Sequence, residues 1–174
     1  PTGQTAKTLV LITEQLESFG LTEVALQWLL DVIDQCDQGF YGSESKAIKN
    51  KATLMLAARE SLDTQLIGQA RGRLLGLLDE NPLDEEALNL LLATSSGSRQ
   101  VAEAISRFKE AANAAHGMQR AGFLLEAASA TLDRLGLKHQ AIELLEQSLE
   151  AAAENQASMV ALDRLYNDLG YEER

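Results

Sequence analysis

The chain has 174 residues, 45% of them hydrophobic and 24% charged, the balance of one globular domain with a substantial core. A formal charge of −11 and a pI near 4.6 leave no cation excess to displace phosphate counterions. That excludes nucleic acid as a partner and disfavours an anionic membrane surface; the acidity serves solubility or lines a groove for a basic partner.

Abundant Leu, Ala, Glu and Gln, with two prolines and few β-branched residues, predict an all-α chain. Gly20 stops a first helix whose apolar stripe is Leu9, Ile12, Leu16 and Phe19. Thr22 caps a second helix running to about Asp37, and Cys36 on its stripe reads as a small buried hydrophobe. A loop over Gln38–Ser43 follows, and Ser43 or Ser45 opens a longer third helix. Asp63 starts the fourth helix and Asn81-Pro82 closes it. Asp84-Glu85-Glu86 is an acidic start to the fifth, favourable at the positive end of the helix dipole. Ser95–Ser98 is a turn, His116-Gly117 ends the sixth helix, and Gly136 ends the seventh. The eighth runs to about Glu154 and the ninth reaches Leu169. In the ninth, Met159, Leu162, Leu165, Tyr166 and Leu169 share one face, with Asp163, Arg164, Asn167 and Asp168 elsewhere.

A repeat runs through these helices. The Gly20–Ala25 spacing recurs as Gly136–Ala141, and anchoring on Ala25, Ala70, Ala104 and Ala141 gives a register. Four residues on stand Leu29, Leu74, Phe108 and Leu145; seven on stand the inward positions Val32, Leu77, Ala111 and Ser148. Repeats then start near 6, 51, 85 and 122, with a capping half-repeat over 156–170. Together with Ala58, Ser129, Pro82 and Tyr166, these residues resemble the tetratricopeptide repeat, a helix-turn-helix unit of about 34 residues. Thr13 and Leu92 stand where that family has small residues, and the longer first step contains the Gly39–Ser43 loop. The resemblance implies a single domain over residues 1–174. It would be a right-handed superhelical α-solenoid of about four repeats plus a C-terminal capping helix.

In that family the first helix of each pair lines a concave groove. The resemblance therefore implies groove-facing positions at Lys7, Val10, Glu14, Glu17, Met55, Arg59, Asn89, Phe123, Glu126 and Asp133. The plainer alternative is the solvated side of an ordinary bundle. Members that grip a chaperone's C-terminal carboxylate use paired cationic and amide residues; Val10, Glu14, Met55, Glu86 and Leu90 hold those places here, which argues against that ligand. Gly68, Gly72 and Gly76 form a ladder on the convex side of the fourth helix, either a helix-contact or dimer face or drift on an exposed surface. Phe40 and Tyr41 are either an exposed anchor or a cover over the join between repeats, and Trp28 reads as packing.

Catalysis has little support. His116 and His139 are isolated, and no phosphate-cradling loop, nucleophile motif or cysteine–histidine pair occurs; one cysteine can form neither an internal disulfide nor a cysteine metal site. No catalytic, metal or cofactor site is expected. With no apolar run of transmembrane length and no signal-peptide pattern, direct membrane insertion is not expected either. Lacking an initial methionine, the chain reads as a fragment or a processed product; the cytoplasm is the favoured compartment, with the periplasm as the alternative. The implied function is a non-enzymatic scaffold or adaptor binding a peptide or protein segment in the concave groove. The alternatives are a ligand- or peptide-sensing regulatory domain of a larger signalling protein, served by the Gly39–Gly42 join, and a homodimer through the glycine ladder.

Overall fold

A computed structural model describes residues 2–170. Among these are nine α-helices and no strand: α1 (Thr2–Ser18), α2 (Thr22–Asp37), α3 (Ser45–Glu60), α4 (Ile67–Glu80), α5 (Glu85–Ala93), α6 (Ser98–Ala114), α7 (Gly117–Leu135), α8 (Lys138–Ala151) and α9 (Gln156–Asp168). The helices form two compact units, the first ending at Glu80 and the second beginning at Asn81.

In the first unit α2 packs on α3, α3 on α4, and α1 on both α2 and α3. Leu9, Leu29, Val32, Cys36, Ile48, Ala52, Met55 and Leu56 form a buried cluster, with Val10, Leu26, Trp28, Ile33 and Tyr41 packed around it. The buried line of α1 is rotated from the predicted stripe. Leu9 is buried, but Ile12 and Phe19 are exposed, and Thr13 is fully buried instead. Thr13 is tolerated there because its hydroxyl donates to the Leu9 carbonyl one turn back, at 2.8 Å.

The second unit runs α5 to α9 with each helix packed on the next, and α9 also touches α7. All twelve register positions are buried: the four anchoring alanines are at 0% exposure, and their partners four and seven residues on are at 8% or less. A fully buried alanine lets a neighbouring helix backbone approach closely.

Glycines set two of the turns. After α1, Gly20 takes φ 74°; its N–H donates to the Glu17 carbonyl, and the Leu21 N–H donates to that of Leu16. Gly136 takes φ 69° after α7, with N–H bonds from Gly136 to Leu132 and from Leu137 to Thr131. The Gly20 closure also displaces the expected cap. Because the Leu21 carbonyl already accepts the Ala25 N–H at 2.9 Å, Leu21 takes the N-cap place and Thr22 becomes the first helical residue.

Other boundaries differ by a turn. Asp63 organises the turn before α4, its side chain accepting from the Gln65 N–H at 2.9 Å and its carbonyl from Leu66 and Ile67. Asp84 caps α5 as a carboxylate at a helix start should, accepting from the Ala87 N–H at 3.0 Å. Gly117 opens α7 rather than ending α6, and α8 stops at Ala151, so Asn155 caps α9 through the Ser158 N–H at 3.3 Å. The Gln38–Ser43 segment is closed locally. The Gly39 and Phe40 N–H groups bond back to Cys36 and Gln35, a 3-10 turn covers Gly42–Glu44, and the Tyr41 hydroxyl meets Gln35 Oε1 at 3.0 Å. Tyr41 folds over the core while Phe40 stays 76% exposed.

Candidate functional site

The most informative surface lies on α7, at the centre of the second unit. Most of this helix is sunk between α6 and α8, with Ala121, Leu124, Ala128 and Thr131 among its buried residues. Its accessible residues include a stripe on one face, Met118, Gly122, Leu125, Glu126, Ser129, Leu132 and Asp133, alongside the exposed Gln119 and Arg134.

Both ends of that stripe open into cavities. The N-terminal half lines a pocket of about 240 Å³ with Glu85 and Asn89 of α5 and Phe108 of α6. Phe123 and Phe108 form its floor, their rings 6.5 Å apart and tilted by 56°. The C-terminal half lines a cleft of about 770 Å³, where Leu132 and Asp133 face Ala157, Val160, Ala161, Arg164 and Asp168 of α9, with Lys138 at the edge. The two hollows share no lining residue, but α7 contributes to both, through Gly122 and Glu126 to the first and Leu132 and Asp133 to the second. The cleft has the size of an ordinary side-chain or small-ligand site.

The electrostatics of the hollows differ. The smaller pocket carries Glu85 and Glu126 with no cation among its lining residues. The cleft balances Asp133 and Asp168 against Lys138 and Arg164. Glu126 and Asp133 are both exposed, and among the described residues neither side chain is held in an ion pair.

The structure places Asn89, Phe123 and Glu126 in the pocket between α5 and α7, and Asp133 in the cleft between α7 and α9. Phe123 needs a correction: at 4% exposure it is the floor of the pocket, not a wall reaching outward. In the first unit the register-derived residues fare differently. Met55 belongs to the core at 6% exposure, packed in the cluster with Leu9 and Ala52, and Val10 is half-buried against the same cluster. Glu17 and Arg59 are bound to each other across α1 and α3, with Nε to Oε1 at 2.5 Å and Nη2 to Oε2 at 2.9 Å. This fork occupies the wall of a separate 580 Å³ pocket with Leu26 and Leu62. Lys7 and Glu14 are exposed on α1.

The sequence reading missed Ala157, Val160 and Ala161. They follow the i, i+3, i+4 spacing of a second apolar stripe on α9, and Val160 is 69% exposed. The predicted apolar face is only partly used for packing: Leu165 is buried, Met159 is 42% exposed, and the fully buried polar Ser158 takes the inward place.

Gly68, Gly72 and Gly76 are all exposed, and a Cβ added at any of them would meet nothing within 4 Å. Cys36 is buried; its thiol is pushed up chiefly by burial and further by Asp37, with Lys49 opposing, so it is not a poised thiolate. Among the described residues, no three His, Cys, Asp or Glu side chains are grouped to hold a metal ion, and no helix is long and apolar enough to cross a membrane. No family model matches the chain, and no curated protein or solved structure does so either.

Proposed function

We propose that the chain is a non-enzymatic adaptor of tetratricopeptide-repeat type that holds a segment of a partner protein along the α5–α7–α9 side of its second unit. The observation that carries this reading is the α7 stripe, whose residues line both hollows and would join them into one track. The repeat assignment is supported by the four fully buried anchoring alanines, since stacked helix pairs need small residues where they cross. A track lined by apolar floors and exposed carboxylates suits a peptide, which presents both side chains and backbone to be recognised.

The test is affinity purification with the full chain and with a Glu126→Lys/Asp133→Lys variant. The variant is expected to lose the partner recovered by the native chain while keeping its far-ultraviolet helical signal. Equal recovery by both would remove the groove from consideration.

A further inference from the structure

We propose that the segment held on this side carries a basic side chain at the α5/α7 pocket and an apolar side chain in the α7/α9 cleft. The inference rests on the groove reading above and adds the chemistry of the ligand. Charge complementarity supplies the first half. The pocket is rimmed by Glu85 and Glu126 with no cation beside them, so an ammonium or guanidinium gains there what a carboxylate would lose. Its accessible apolar wall, Met118 and Leu125, suits the methylene stem of a long cationic side chain.

The cleft selects differently. Its two carboxylates and two cations leave no net charge, while Ala157, Val160 and Ala161 present an apolar surface. An apolar side chain is what such a surface favours. Both hollows draw on α7, the first through Gly122 and Glu126 and the second through Leu132 and Asp133, so one segment crossing this helix would meet both.

The experiment is selection of a displayed library of random twelve-residue peptides on the full chain, repeated on Glu126→Lys and Val160→Asp variants. Both substituted positions are exposed, so the fold should survive. Enriched peptides are expected to carry an Arg or Lys together with an apolar residue, in either chain order. Exchanging that cation for Glu should weaken binding by about tenfold or more, and the Glu126→Lys variant should restore it. The Val160→Asp variant should weaken binding without changing the charge preference. Enrichment of acidic or uncharged peptides that still depend on Glu126 and Val160 would overturn the proposed chemistry and leave the groove standing. Peptides indifferent to both substitutions, or no enrichment at all, would overturn the chemistry and the groove together.

Discussion

The hydroxyls of Ser148 and Ser158 lie 2.7 Å apart, and neither residue has any exposed surface. Ser148 also donates to the Ala121 carbonyl at 2.8 Å, and Asn155 Nδ2 approaches it at 3.4 Å, so one buried serine ties α8 to both α7 and α9. Replacing Ser148 with Ala leaves buried polar atoms on three elements short of a partner. The expected loss is about 1–3 kcal/mol in urea unfolding. A double-mutant cycle with Ser158→Ala should give less than additive loss, because the two substitutions break the same bond. Strict additivity would mean the two hydroxyls do not interact.

The register makes a packing prediction. Ala104 has no exposed surface while Ala102, on the same helix, is exposed. Ala104→Leu should destabilise the second unit by about 1–3 kcal/mol by overpacking, and Ala102→Leu should leave it within about 0.5 kcal/mol. Similar midpoints for the two variants would show that Ala104 does not mark a close helix approach.

Much of this was readable because close packing leaves a local trace. Helix ends were marked by Gly20, Gly136 and Asp84, and alanines at fixed offsets marked crossings, so inward positions such as Leu74 and Phe108 followed from spacing alone. Depth was not readable in the same way. The register says which face Met55 and Phe123 occupy, but how far neighbouring helices close over that face depends on residues distant in the chain. The Glu17–Arg59 fork joins residues 42 positions apart and leaves no periodic signal at all. On α9 the stripe through Leu162, Leu165 and Leu169 already explained a helix, which hid Ala157, Val160 and Ala161 on another face. Asn155 was obscured because the eighth helix was drawn one turn too long.

The Glu17–Arg59 fork should behave as a partly screened ion pair. The two side chains are 29% and 20% exposed, so the coupling in a double-mutant cycle should be about 1 kcal/mol and shrink as salt is raised. Arg59→Lys should not restore it, because an ammonium cannot present two parallel N–H donors and also reach the Met55 carbonyl as Arg59 Nη1 does at 3.2 Å. A salt-independent coupling would contradict this account.

Gly72 sits mid-helix with open space above it. In a chain that does not self-associate through this face, Gly72→Ala should stabilise α4 by about 0.5–1 kcal/mol, because alanine is the better helix former. Sedimentation of a Gly72→Trp variant completes the test. A native mass above one chain that falls on substitution would assign the glycine face to a self-contact.

Cys36 provides the pH prediction. Its thiol is raised in the folded chain, chiefly by burial, so as pH climbs past the ordinary thiol value the unfolded chain ionises first. Stability of the first unit should therefore fall between the ordinary and the raised value. Lys49, raised by its hydrogen bond to Asp37, acts in the same direction at still higher pH, since its contribution is present below the ordinary lysine value and lost above it. Cys36→Ala should flatten the first part of that slope in urea unfolding followed across alkaline pH. Iodoacetamide at pH 8 should label the native chain at least about tenfold more slowly than the unfolded one; equal rates would show that the thiol is open to solvent.

Gly122 lies in the accessible stripe of α7, in the middle of a helix, with nothing within 4 Å of where a Cβ would stand. A methyl group there would strengthen the helix by removing backbone freedom from the unfolded chain, yet it would stand in the hollow between α5 and α7. At this position the demands of folding and of recognition point in opposite directions. A search for a hardier version of this protein would replace Gly122 early, and would thereby narrow the hollow in which the proposed basic side chain lodges.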